Sequence, residues 1–189
     1  MRSQRIGLIA EDLSDIEVIK ILAKKVTTRP MSFSHFVGRG CGPLKRKTPA
    51  WCNNLHLKGC TRVLLVHDND RNDHKDLRKI LEEVIAAAPQ KDKVVVIPTE
   101  ELEAWLLSDE SAIGTALNLR KPPTSVQHPE RIASPKEHLQ RAVRQASGKK
   151  VQYVNSVHNQ TIANKIDIAL VARKCPSFKP FQAFFREKA

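Results

Sequence analysis

Four short apolar runs alternate with helical patterns through the first hundred residues, and that alternation admits few folds other than parallel strands joined by crossover helices. Ile6-Gly7-Leu8-Ile9-Ala10 reads as a buried strand. Ser14 with Glu17 three residues on reads as a capping box opening a helix to about Val26, with Ile19, Leu22, Ala23 and Val26 on one face. A second strand is expected over Met31 to Val37, then a basic helical stretch from Pro43 to His56 that Pro49 should interrupt. Val63-Leu64-Leu65-Val66 is the third strand, Asp73 to Ala88 a helix by period, and Val94-Val95-Val96-Ile97 the fourth strand, closed by Pro98.

After Pro98 the β-branched runs stop and short helices take over. They are expected at Glu101 to Leu107, Ser111 to Leu117, Thr161 to Lys174 and Ser177 to Arg186, with a basic proline-containing loop from Arg120 to Ile132. Ser134-Pro135-Lys136-Glu137 combines an N-cap, proline at the first helical position and a capping box, predicting a helix to about Ala146. The reading is one α/β domain over 1–189, with a parallel-sheet core of about four strands in 1–98 and a helical extension packed on it in 99–189.

Composition narrows the partners. Lys and Arg number 32 against 20 Asp and Glu, a net charge of +12 that favours a polyanion such as nucleic acid. No apolar run approaches the ~18 residues of a transmembrane helix, and no signal-peptide core follows the N-terminus, so a cytoplasmic protein with no membrane partner is expected. Cys41, Cys52, Cys60 and Cys175 are then reduced thiols.

Against this basic background, acids gather at two strand ends. Glu11 directly follows the first strand, and Asp68-Asn69-Asp70 follows the third. In open parallel sheets ligands collect beyond the carboxyl ends of the strands, so these acids converge if the two strands are neighbours. An Asp-x-Asp spacing puts both side chains on one side of an extended backbone. Clustered acids raise one another's pKa unless a cation neutralises them, and Mg²⁺ suits oxygen donors that leave room for substrate phosphates. The ordinary alternative is a set of loop caps and solvated charges.

Glu-Asp-Leu-Ser-Asp after the first strand and His-Asp-Asn-Asp after the third resemble the Toprim domain, the metal-binding core of topoisomerase-primases and certain nucleases. Glu101-Leu102-Glu103-Ala104-Trp105-Leu106-Leu107-Ser108-Asp109 and Arg173-Lys174-Cys175-Pro176-Ser177-Phe178 look like short Toprim-related proteins akin to OLD-type nucleases and associated with phage defence. The likeness covers nearly the whole chain. It implies that Glu11, Asp15, Asp68 and Asp70 hold one or two Mg²⁺ or Mn²⁺ ions, with Glu103 completing a site in which Glu11, Asp68, Asp70 and Glu103 are catalytic. Spacing alone leaves Glu100 and Glu103 as competitors, since both fall on one helical face. Where the family usually has glycine after its first Glu, this chain has Asp12, a residue that enters the left-handed region more readily than most. The only tyrosine, Tyr153, lies in a polar segment, which disfavours strand passage and leaves hydrolysis. The expected function is therefore a Mg²⁺-dependent nuclease or nuclease subunit, acting on DNA ahead of RNA, with a separate ATPase subunit implied by the resemblance. The alternatives are a noncatalytic nucleic-acid-binding or adaptor protein and, third, a metal-dependent phosphatase.

Gly38-Arg39-Gly40-Cys41-Gly42 with Lys45, Arg46 and Lys47 is the expected phosphate contact, although it lacks the Gly-Lys-Ser/Thr ending of a P-loop. Arg120-Lys121, Lys149-Lys150 and Arg173-Lys174 are weaker basic clusters. Cys41, Cys52, His56 and Cys60 do not match a structural zinc spacing. Asp68-Asn69-Asp70 sits after the wrong strand for a haloacid-dehalogenase nucleophile, and His67 and His158 are candidates for proton transfer.

Overall fold

A computed structural model describes residues 4–38 and 41–186. Four strands, β1 (Gln4–Ala10), β2 (Met31–Val37), β3 (Arg62–Val66) and β4 (Asp92–Val96), form one parallel sheet in the order β2-β1-β3-β4. The connecting helices are α1 (Leu13–Val26), α2 (Cys41–Leu57) and α3 (His74–Ala86). After β4 come α4 (Glu103–Leu106), α5 (Glu110–Ala116), a 3₁₀ turn at Pro129–Arg131, α6 (Pro135–Ala146), α7 (Asn155–Lys165), α8 (Ile168–Lys174) and α9 (Phe178–Arg186). The expected α/β class with a parallel-sheet core is what the chain adopts.

The strands alternate their side chains between two cores, as a pleated backbone requires. Ile6, Leu8, Ala10, Leu64, Val66 and Val96 point into a cluster with α1 and the C-terminal helices. Ile9, Val63, Leu65, Val95 and Ile97 point into a second cluster with Leu44 and Leu55 of α2 and Leu77 and Leu81 of α3. Burial on both faces explains why these strands read as continuous apolar runs. Helix α2 lies close on the sheet: a Cβ at Gly7 would sit 2.8 Å from Leu55 Cδ1, and one at Gly38 would sit 2.6 Å from Leu44 Cβ.

Three local expectations are corrected. The capping box of α1 is Asp12 with Asp15, not Ser14 with Glu17: the Asp15 amide donates to Asp12 Oδ1 at 3.0 Å and the Asp12 amide to Asp15 Oδ2 at 3.3 Å. Pro49 does not interrupt α2, which runs on because Leu44, Cys52 and Leu55 on its inner face are fully buried. That packing outweighs an interior proline's cost of about 3 kcal/mol. The stretch Thr161 to Lys174 is two helices, broken where Asp167 caps α8 by accepting from the Ala169 amide. In addition, Ser134 precedes α6 without making a side-chain cap bond. Among the described residues no helix is long and apolar enough to cross a membrane.

Candidate functional site

The strand order places a reversal between β1 and β3: the chain leaves β1 for β2 on one side, then returns to β3 on the other. At such a point the loops leaving the two strands splay apart and open a crevice at their carboxyl ends. Glu11 leaves β1 there and Asp68 leaves β3 there. The strands pair directly, with Ile9 opposite Leu65, so the two acids are brought together by register.

Two further acids arrive from the helices. Asp15 stands in the first turn of α1, held by the Asp12 cap. Asp12 itself is extended (φ −136°), so the position that glycine takes in the resembled pattern needs no left-handed backbone here. Glu103 opens α4 and is buried at 5% exposure. Glu100 does not share its helical face: it precedes α4 with φ 61°, and its carboxylate accepts the Arg71 amide at 3.0 Å. The geometry thus separates the two competitors, putting Glu103 among the acids and Glu100 in the loop that shapes their rim.

That rim is strained. Asp70 (φ 46°), Arg71 (φ 62°) and Glu100 (φ 61°) are left-handed, and the two loops lock together as the Asn69 amide donates to the Pro98 carbonyl and the Asp70 amide to the Glu100 carbonyl. Left-handed non-glycine residues persist only where the surroundings enforce them, and they collect at functional sites.

The electrostatics follow from burial among like charges. Asp68 is pushed well above the carboxylate range, first by burial and then by Asp15, Glu103, Glu11 and Asp70. Burial, then Asp12 and Glu103, push Asp15 up to about 8. Glu11 is raised by burial, partly offset by His67, and Glu103 by burial, partly offset by its bond from Asn159. Among the described residues no Lys or Arg lies within ion-pair distance of Glu11, Asp15, Asp68, Asp70 or Glu103. His67 is the nearest basic group: its Nδ1 is 3.1 Å from Glu11 Oε1 and 2.6 Å from the Asp68 carbonyl, which accepts its hydrogen. Glu11 Oε1 and His67 Nε2 are buried without a hydrogen bond. No three His, Cys, Asp or Glu side chains among the described residues form a ready-made ligand set.

Sequence reasoning missed the support behind Glu103. Asn159 of α7, fully buried, donates from Nδ2 to Glu103 Oε1 at 3.1 Å, and the Tyr153 hydroxyl donates to Asn159 Oδ1. Tyr153, although its segment is polar, is itself buried at 3% exposure. The Glu-Ala-Trp-Leu-Leu-Ser-Asp stretch is likewise explained by packing. Trp105 is fully buried against Phe178 and Phe181 with its Nε1 donating to Ser177 Oγ at 2.9 Å. Asp109 caps α5 and accepts the Asp167 amide, joining α5 to α8. The Asp68 carboxylate accepts the Leu102 amide at 3.0 Å, which fixes α4 against β3.

Of the expected phosphate contacts, Arg39 lies outside the described residues. Lys45, Arg46 and Lys47 fall in the first turns of α2, beyond the carboxyl end of β2, with Lys45 half-buried and the other two exposed. Cys52 and Cys60 are buried beneath α2, and burial pushes the Cys52 thiol up to about 11, which opposes thiolate ligation. His158 spends its Nδ1 accepting the Val154 amide at 2.8 Å.

Residues 11–185 match the family model described as "Domain of unknown function (DUF4276)", and the chain belongs to that family. No curated protein matches the chain. No solved structure matches it either.

Proposed function

We propose that this chain is a divalent-cation-dependent hydrolase of nucleic-acid phosphodiester bonds with a Toprim-like site. The observation that carries the reading is the meeting of Glu11, Asp15, Asp68 and Glu103 at the β1/β3 reversal with no Lys or Arg among the described residues within ion-pair distance. Burying several acids together is costly unless something neutralises them. The donor set fits Mg²⁺ or Mn²⁺, being all hard oxygen, with Glu11 Oε1 buried, accepting no hydrogen bond and 3.1 Å from His67 Nδ1. One or two such ions, when bound, supply Lewis acidity toward a phosphate oxygen and neutralise developing charge.

The chain's own residues do the rest. The Leu102 amide orients Asp68, and Asn159 orients Glu103 through its Oε1. Asp70, exposed on the strained rim, faces incoming substrate. An acid left unligated accepts the proton of the attacking water. The likeness to phage-defence proteins adds a separate ATPase subunit to the proposal.

The test is cleavage of single-stranded, duplex and supercoiled substrates in Mg²⁺ or Mn²⁺, with EDTA as control and any co-encoded ATPase added. Asp68→Ala should lower the rate by about 10³-fold or more while binding persists. Asp68→Asn, which keeps an acceptor for the Leu102 amide, should do the same. Identical products from wild type and both variants under every condition would sink the nuclease reading. The noncatalytic nucleic-acid-binding or adaptor reading would then stand. Hydrolysis of a nitrophenyl phosphomonoester but not of a phosphodiester would indicate the phosphatase instead.

A further inference from the structure

Two of the three weaker basic clusters, Arg120-Lys121 and Lys149-Lys150, lie on either side of α6 in the chain. Between Arg120 and Lys150 there are eight lysines and arginines against two glutamates, so this stretch contributes half of the chain's net charge of +12. Helix α6 runs through it with Leu139 and Val143 buried toward the core, leaving Arg141 at the centre of its outward face. Grooves flank that face on both sides. One, of about 510 Å³, lies between α6 and the segment at Lys121, and is lined by Lys121, His138 and Arg141 with no acid among its walls. The other, of about 300 Å³, is lined by Arg144 and Lys149, again with no acid. Among the described residues the ion pair on this face, Arg141 to Glu137 at 3.8 Å, is long and solvent-exposed, so screening keeps it from neutralising the surface.

The first turn of α6 adjoins the acid cluster. The Lys136 amide donates to Glu101 Oε2 at 2.7 Å, and Arg71 of the strained rim donates to Ser134 Oγ at 3.3 Å. The Lys136 ammonium acts on Glu103, lowering the pull that burial exerts on its proton. A cationic face therefore begins where the acid site ends.

We infer that the outward face of α6, with the groove on each flank, is the track along which a nucleic-acid strand lies, its phosphates contacting Lys121, Arg141, Arg144 and Lys149. The inference deepens the nuclease reading and rests on it for the direction in which the strand leads, toward Glu103. Closely spaced phosphates need a line of cations beside an acid site that would otherwise repel them, and α6 provides that line.

The test uses the full chain in EDTA, so that binding is read without cleavage, with a fluorescein-labelled single strand and the duplex of the same sequence. Arg141→Gln with Arg144→Gln is compared with Lys79→Gln with Lys91→Gln, two exposed lysines on α3 and just before β4. Both pairs remove the same charge. The α6 pair should weaken binding about tenfold or more and flatten the dependence of log Kd on log salt by about one to two, with the control pair within about twofold of wild type. Equal loss from both pairs would overturn the inference, since binding would then follow net charge alone. No binding by wild type at low salt would also overturn it. Cleavage of a nitrophenyl thymidine phosphodiester, too small to reach α6, reports the hydrolase reading separately: binding without that cleavage overturns the nuclease and keeps the track.

Discussion

The acid cluster and the face of α6 are opposite answers to the same problem of placing charge. At the β1/β3 reversal the carboxylates are withdrawn from water, so each costs stability and each raises its neighbours' affinity for protons. On α6 the guanidinium and ammonium groups stay in water, where a single charge costs almost nothing and binds almost nothing. A buried charge is thus informative one residue at a time, and a surface charge only as a pattern.

The largest expected effect breaks that contrast by titration. Asp15 holds its proton up to about pH 8 in the folded chain, whereas its ordinary value is 3.8. The folded state therefore binds more protons between those values, and its stability falls as pH rises from about 4 to about 8. In EDTA, the melting temperature should drop on the order of 5–10 °C from pH 5 to pH 8, followed by calorimetry. On the proposed metal site, Mg²⁺ should restore more of it at pH 8 than at pH 5, because carboxylates bind a cation in their ionised form. A melting temperature that rises over this range would contradict the raised carboxylates.

Asn159→Ala comes next. It leaves the buried Glu103 oxygen and the Tyr153 hydroxyl without their shared partner, and should cost about 1–3 kcal/mol in denaturant unfolding. A loss below about 0.5 kcal/mol would mean that water replaces the amide without penalty.

A smaller effect of opposite sign is expected from Asp68→Asn. With the Leu102 amide still accepted and no carboxyl left to ionise at this position, the variant should lose less stability than wild type as pH rises toward 8 in EDTA, while losing its response to Mg²⁺. The smallest sharpens the other side of the comparison. Arg141→Gln should leave stability within about 0.5 kcal/mol of wild type, so that any change in nucleic-acid affinity is a surface effect.

What the sequence by itself determined follows from local pattern. Short apolar runs identified the strands, and the acids that follow two of them located Glu11 and Asp68, because period and position along a strand are properties of neighbouring residues. The α1 cap was misplaced by two residues because Ser14–Glu17 and Asp12–Asp15 offer the same spacing, and only the backbone shows which is used. Choices that depend on distant segments were not legible. Glu103 was separated from Glu100 by where α4 begins, which the Asp68–Leu102 bond fixes across 34 residues. Asn159 reaches Glu103 across 56 residues, by way of α7 packing on α1 and α4, and no local signal marks it. Pro49 stayed helical because the sheet face beneath α2 rewarded burial more than proline penalised the helix. Short-range stereochemistry thus set the elements and two of the acids. The docking of the C-terminal helices onto one sheet face, driven by area removed from water, decided which other side chains joined them.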